Sequence, residues 1–524
     1  MSGTPATVAS APAPAFVAPD PSHRAVARTA RWLAVTAFLA FVLTGGGRIV
    51  GSDEVTMLDL AQALLHGGIA VPPGATLDGP DRLHYTKNAA GQAILALPLV
   101  AAAEAATSSV PEARRVLAVR FVVSFFNALV TACVLAVFYR AARRLGVRPA
   151  PALAAAAMLG LTTPVWVYAK SFMAEPLQAL GLLLALSGSA GAAAGERRAA
   201  VWAGVGVALA VSVKLSMAPI ALACLLPLAG APRASWIAPL AGFAIALGGH
   251  ALYDIARFGT PFETGYGAQA TPSAYSTPLL VGLYGLLLSS GKGIAWFAPG
   301  VWLMPAGGAA MRQAGPAPAR VGRAVKVACA VALLLYAPFE HWAGDGSFGP
   351  RYLVPLLPLA FLLVAFALER ARAARKALAV ALAVAGLIVQ IGGVAIYFGA
   401  QMREAGDYPY TRALSDPRFM SDSHFNPRFS PIAGHWEMLV RNAREHVARR
   451  GPRLAGGDDV DPRVGVGARD QQALLHALDF WWLYARYAGV PGLPVFATFA
   501  ALLFATGWAW LKTLALAADE ARAP

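Results

Sequence analysis

The chain has 524 residues, 57% of them hydrophobic and only 14% charged, with a formal net charge of +15. A soluble domain is less apolar and carries far more charge, so the composition excludes an ordinary soluble globular protein. The apolar residues come in runs of about 18 or more, long enough to cross a bilayer core of roughly 30 Å as helices, and the short alternating segments of a membrane barrel are missing. Lys and Arg gather at the ends of these runs and no nucleic-acid motif is present, so the positive charge marks membrane topology and no nucleic acid is expected as a partner.

Lipid offers a backbone no hydrogen bonds. The expected fold is therefore all-α: a polytopic membrane bundle of about 12 transmembrane helices, with juxtamembrane helices in the first outer loop. The chain opens Ala/Pro-rich and poor in charge, and 1–29 is expected to be a disordered cytoplasmic tail. Arg24, Arg28 and Arg31 precede a first span at 30–50, which places the N-terminus inside. The first outer loop, 51–115, begins Gly51-Ser52-Asp53-Glu54. Within it Met57, Leu58, Ala61, Leu64 and Leu65 recur at helical spacing over 54–66, and Pro72-Pro73-Gly74 then breaks the chain. Residues 89–103 are apolar and are expected to lie along the membrane or re-enter it.

Crossings follow at 116–138, 149–167, 173–193, twice within 199–230 around Lys214, at 235–255 and at 293–311. One more rises to Glu340-His341-Trp342, another starts at Arg351-Tyr352, and the last two are 377–398 and 493–512. With both termini inside, the short basic clusters, such as Arg140, Arg143, Arg144 and Arg148, all fall in the cytoplasm. The exception is Arg441, Arg444, Arg449, Arg450 and Arg453, in an outer-face polar segment at 399–492 long enough to be exempt from the rule. The chain thus divides into the tail 1–29, a transmembrane catalytic module at 30–398, the polar segment 399–492, and a last helix with a cytoplasmic tail at 493–524. Cys133, Cys224 and Cys329 lie in apolar sequence without partner spacing, which fits small buried hydrophobes rather than disulfides or zinc ligands.

Polar residues that apolar packing does not require sit in the outer loops. They are Asp53-Glu54, His84-Tyr85-Thr86-Lys87 followed by NAAGQAILALP, SFMAEP at 171–176, YDIARFGTPFETGY at 253–266, SSGKGIAWFAPG at 289–300, FGPRYLVPLLP at 348–358 and FNPRFSPIAGHW at 425–436. In this order, over about 30–370, they resemble the GT-C superfamily of membrane glycosyltransferases, with protein O-mannosyltransferase-like and aminoarabinose-transferase-like bacterial enzymes nearest. The resemblance implies an inverting glycosyltransferase of the bacterial inner (plasma) membrane. It would move a sugar from a polyprenyl-phosphate donor to an acceptor hydroxyl on the periplasmic, extracytoplasmic face. It maps the catalytic carboxylate onto Asp53 and donor-phosphate contacts onto Lys87 and Arg351. The sequence departs from the aminoarabinose-transferase pattern after the lysine, where Asn88-Ala89-Ala90 replaces two prolines, and before it, where Thr86 replaces an acidic residue. No cofactor is called for with certainty. A divalent cation stays open, and the metal ligands are unknown.

The chemistry needs a base for the acceptor proton and fixed cations for the leaving phosphate. Asp53 is the candidate base with Glu54 assisting; the competing role is that Ser52 and Asp53 cap the helix behind them. Lys87, Arg351 and Lys214 are the phosphate-binding candidates. Against this, Lys87 is equally a solvated loop residue, and Arg351 and Lys214 are equally snorkelling anchors. Tyr85, Glu175 and Tyr352 are supporting candidates, Glu175 either orienting the site or capping its helix. His250, Asp254 and Arg257 share a helical face and favour an interfacial salt-bridged cluster. His341 and His435 lack metal-ligand spacing, and Trp481, Trp482, Tyr484 and Tyr487 fit an interface belt. The expected partners are the polyprenyl-phosphate-linked sugar, membrane lipids and an acceptor (lipid, glycan or protein) that no residue identifies. A transporter or flippase for a lipid-linked saccharide is the main alternative, and a non-catalytic scaffold the second; neither needs the acidic pair.

Overall fold

Apolar runs close their backbone hydrogen bonds within themselves, and the computed structural model of the chain is accordingly helical. It describes residues 21–74, 76–344, 346–406, 420–454 and 468–522. The first helices are α1 (Pro21–Leu43), α2 (Ser52–Leu65), α3 (Gly91–Ala106), α4 (Glu112–Val123) and α5 (Phe126–Arg144). Between α2 and α3, strands β1 (Leu77–Asp78) and β2 (His84–Tyr85) pair antiparallel, Leu77 opposite Tyr85. Then come α6 (Pro149–Leu161), α7 (Val165–Ala169), α8 (Glu175–Ala193), α9 (Arg197–Val213), α10 (Ala218–Cys224), α11 (Ala234–Phe258), α12 (Leu279–Leu288), α13 (Ile294–Phe297), α14 (Met304–Ala314) and α15 (Pro316–Tyr336). A 3-10 turn at Arg351–Leu356 leads into α16 (Leu357–Glu369), followed by α17 (Ala373–Ala395), α18 (Phe398–Glu404), α19 (Ser421–Phe425), α20 (Pro431–Val447), α21 (Ala468–Ala473), α22 (Trp481–Tyr487) and α23 (Gly492–Arg522).

Among the described residues seven helical segments are long and apolar enough to cross a membrane: His23–Leu43, Arg114–Arg144, Glu175–Ala193, Ala234–Phe258, Arg351–Glu369, Ala373–Ala395 and Gly492–Arg522. The other expected crossings are shorter, broken or charged. Residues 149–167 turn at Thr162-Thr163 after 13 helical residues, and 293–311 is interrupted around Ala298 and Pro299. Helix α15 has the length but carries Arg320, Arg323 and Lys326 in its first half. Helix α3, with 16 residues and Pro98 inside, packs on α2 beside the bundle. The stretch between the expected crossings at 235–255 and 293–311 contains the short apolar helix α12.

Helices α8 and α9 share the most extensive contact of any helix pair among the described residues, and small residues make this possible. A Cβ on Gly188 would lie 2.4 Å from Ala203 N, and one on Gly206 2.3 Å from Ala185 N. At one end of the bundle ion pairs collect: Arg144 with Glu196, Arg148 with Glu369, and Arg143 with Glu520. Residues 21–29, expected in the tail, open α1 instead. Thr29 is buried there and donates to Glu520 Oε2 at 2.9 Å. Residues 1–20 lie outside the described residues. The opposite end gathers the C-termini of α1 and α17, the N-terminus of α8 and the turn at Arg351, and it holds Asp53.

Candidate active site

Glycine at the N-cap and Glu54 at the third helical position open α2, where Glu54 Oε2 accepts from Gly51 N at 2.8 Å. The cap is therefore Gly51 with Glu54, not Ser52 and Asp53 as the sequence would allow. The other Glu54 oxygen accepts from Phe172 N at 2.6 Å, stitching α2 to the loop before α8. Burial raises the Glu54 pKa above the ordinary range, with Phe172 N–H and Gly51 N–H opposing. Both oxygens are held by backbone, so Glu54 builds the site and has no geometry for a second base.

Asp53, released from capping, faces cations. Its Oδ2 lies 3.1 Å from Arg351 Nη1, and its Oδ1 lies 3.8 Å from Lys87 Nζ. Arg351 Nε donates at 2.5 Å to Glu175 Oε1, so one guanidinium bridges two carboxylates. Glu175 sits in the first turn of α8, where the helix dipole favours an acid. It is buried, and its Oε2 has no hydrogen-bond partner. Burial pushes the Asp53 carboxyl up, but Arg351 and then Lys87 outweigh this and hold it below the ordinary carboxylate range.

Lys214 caps the C-terminus of α9, half-buried. Its ammonium stands 4.5 Å over the Tyr352 ring and 6.0 Å from that of Tyr336, and these two rings stack at 4.4 Å. Burial first, then repulsion from Arg351, brings its pKa down to about 8. Three cations (Lys87, Lys214, Arg351) thus share the site with two carboxylates (Asp53, Glu175), leaving an excess of one positive charge.

Lys87 is placed indirectly. Tyr85 is buried, donates to Asp81 Oδ2 at 2.5 Å and packs edge-on against Phe258. Thr86 O accepts from Arg257 Nη1 at 2.6 Å, while Arg257 Nη2 bonds Asp254 Oδ1 at 2.5 Å. Thr86 and Asn88 both donate to Thr56 Oγ1 on α2. The Asp254–Arg257 pair is thus a buried support for the Lys87 loop. His250, expected on the same face, bonds Val211 O instead.

Several residues of the site escaped sequence reasoning. Tyr266, half-buried, stands near enough to Asp53 that its phenol is raised to about 12, by burial first and the carboxylate second. It lies inside YDIARFGTPFETGY, but no spacing singled it out. A second buried cluster is built on Asp479. Its Oδ1 accepts from Arg48 Nη2 at 2.6 Å and from Tyr484 OH at 3.0 Å, and its Oδ2 lies 2.8 Å from Lys170 Nζ. Burial raises Asp479, but Arg48 and Lys170 overcome it and bring the pKa to about 2. Trp481 Nε1 donates to Val42 O and Trp482 Nε1 to Leu43 O, capping α1. These indoles, expected in an interface belt, clamp the end of the polar segment to the site end of the bundle.

A divalent ion does not fit these donors. Asp53 faces cations and both Glu54 oxygens accept N–H groups. Among the described residues no group of three or more His, Cys, Asp or Glu could hold a metal. His341 Nε2 meets Gln269 Nε2 and Glu340, and His435 Nδ1 donates to Pro431 O. The free cysteines are Cys133, Cys224 and Cys329, with Cys224 buried.

Neither a protein-family model nor a curated protein sequence matches the chain. Among solved structures, apo ArnT from Cupriavidus metallidurans is similar at 14% identity and a TM-score of 0.47, over 94% of this chain and 76% of that one. ArnT from Cupriavidus metallidurans bound to undecaprenyl phosphate gives 15% identity and a TM-score of 0.45, over 93% and 78%. Both TM-scores fall below one half.

Proposed function

We propose that the chain is an inverting membrane glycosyltransferase that moves a sugar from a polyprenyl-phosphate donor to an acceptor hydroxyl at the Asp53 end of the bundle. The observation that carries this reading is the meeting of Asp53, Lys87, Glu175, Lys214 and Arg351, drawn from five separate parts of the chain, where three cations outnumber two acids. A lipid–phosphate–sugar diester carries one negative charge and balances that excess.

In the proposed reaction the acceptor oxygen bonds to the anomeric carbon on the face opposite the phosphate. The bond from that carbon to the phosphate oxygen breaks, and its electron pair leaves on the phosphate. The acceptor's proton passes to Asp53. Arg351 and Lys87 hold Asp53 as a weak base before the donor arrives. A phosphate that draws on the same two cations weakens that hold and makes the carboxylate a better base as the leaving charge develops. Lys214, with no carboxylate in contact, is the cation left to meet the phosphate.

The test is sugar transfer from polyprenyl-phosphate donors in reconstituted membranes by wild type and Asp53→Asn. Transfer by wild type that the variant loses while keeping donor binding supports the reading. Equal transfer by both makes Asp53 structural and removes the base from the scheme.

A further inference from the structure

Helix α20 has one buried stripe, Pro431, His435, Met438 and Asn442, that seats it against the protein. Trp436 Nε1 donates to Ile388 O at 3.0 Å. Ile388 lies seven residues before the end of α17 at Ala395, so Trp436 meets that spanning helix about 10 Å short of its end. Asn442 Nδ2 donates to Ala477 O close to where Asp479 N donates to Ala395 O, so the C-terminal half of α20 lies level with the end of α17. The outward face carries Val440, 41% exposed, then Arg444, then Val447, 87% exposed, at helical spacing. Arg449, Arg450 and Arg453 follow, all exposed.

The neighbouring charges on the helix are paired, Arg441 with Glu404 and Glu445 with His476. Among the described residues the guanidiniums of Arg444, Arg449, Arg450 and Arg453 have no hydrogen bond or ion pair, and Glu437 is an exposed acid on the same helix. Arg449 has a left-handed backbone (φ 58°), a conformation that favours glycine, and yet keeps a charged side chain. The clusters that pair with Glu196, Glu369 and Glu520 lie at the other end of the bundle. These arginines therefore sit at the Asp53 end, where a topology signal is not needed.

We propose that the outer face of α20 and the turn after it bind the headgroups of anionic phospholipids in the leaflet at the Asp53 end. The valines enter the acyl boundary and the four free arginines meet lipid phosphates. Free cations flanking exposed aliphatic side chains match an anionic lipid surface in both charge and polarity. The inference does not depend on the glycosyltransferase reading.

The test uses full-length protein in phosphatidylcholine vesicles with spin-labelled phosphatidylglycerol or phosphatidylcholine, reading the fraction of motionally restricted lipid. The quadruple variant Arg444→Gln, Arg449→Gln, Arg450→Gln, Arg453→Gln is compared with wild type and with the quadruple Arg→Lys variant. Basic clusters elsewhere contribute equally to all three. The expected result is a drop of roughly threefold or more in phosphatidylglycerol preference for the Gln variant, with the Lys variant close to wild type. Equal preference in wild type and the Gln variant overturns the proposal. So does an unchanged lipid preference accompanied by loss of heparin binding in the Gln variant, which assigns the patch to a soluble polyanion.

Discussion

Arg351 and Asp53, 298 positions apart in sequence, meet at 3.1 Å through Nη1 and Oδ2, and the same guanidinium holds Glu175 through Nε. Rigid, forked donors make this double contact possible; a lysine offers a single point charge. The acid proposed as base is thereby fixed in direction and kept ionised.

Removing Arg351 has two separable effects. Arg351→Ala leaves Glu175, 2% exposed at its side chain, buried without a cation, which costs about 3–5 kcal/mol of stability. It also removes a phosphate-stabilising charge, with an expected loss of about 10²–10³ in transfer rate. The double variant Arg351→Ala, Glu175→Gln removes the stranded charge. Thermal unfolding is expected to recover most of the stability while transfer stays lost. Recovery of transfer in the double variant would make Arg351 a purely structural residue.

Lys214 gives a pH dependence with a defined sign. An anion binds its protonated form, and burial brings its pKa to about 8. Donor-lipid binding is therefore complete below that pH and falls above it by up to about tenfold per unit. Lys214→Arg is expected to keep binding flat through this range, and titrated binding of a polyprenyl phosphate checks it. The contribution of Lys214 to folding stability moves the other way. The folded-state pKa lies below the ordinary 10.5, so the unfolded chain holds more protons between the two values and stability rises across that window. A loss of binding there is then not caused by Lys214 destabilising the fold, and thermal unfolding over the same window checks that the protein stays folded.

The membrane class was legible in composition, and among the described residues seven of the about twelve expected crossings recur as helices long and apolar enough to span. Asp53, Lys87 and Arg351 come from the family resemblance and Lys214 and Glu175 from charges standing beside apolar runs, and the structure brings these five together. The capping role of Glu54 was not legible, because an acid next to the catalytic candidate carries no sign of which way it turns. Asp479 was also hidden. It lies 431 positions from Arg48 and 309 from Lys170, and no periodicity links them. Both cations resemble ordinary helix-end charges until the fold closes around them. The aromatics after Asp479 fit an interface belt by composition alone, and only the hydrogen bonds to Val42 O and Leu43 O reveal the clamp.

Asp479→Ala should therefore destabilise the protein as a core substitution does, despite lying in a polar segment. Arg48 and Lys170, 17% and 7% exposed, would lose their shared carboxylate, at a cost of about 3–5 kcal/mol. With a pKa near 2 against the ordinary 3.8, the stabilisation from its ionised form is complete above pH 4 or so and is lost as pH falls through about 2. Denaturant unfolding of wild type and variant at neutral and acid pH checks both. The difference between them should shrink at the acid end.

The packing of α8 on α9 also bears on the site. Helices α8 and α9 run antiparallel, and their ends carry Glu175 and Lys214 at one face of the bundle. Gly188 and Gly206 let the two backbones touch, since any Cβ there would lie within 2.4 Å of a main-chain nitrogen. Gly188→Leu forces the helices apart and is expected to cost about 1–3 kcal/mol. The larger consequence is geometric. A shift of about 1 Å between the helices moves Glu175 relative to Lys214 and strains the Arg351 bridge, and a misplacement of that size costs about 10²-fold in rate. Gly188→Ala, with a smaller intrusion, should fall between wild type and Gly188→Leu in both unfolding temperature and transfer rate. Graded loss of both in that order ties helix packing to the site; loss of stability with an unchanged rate would show that the site tolerates the displacement.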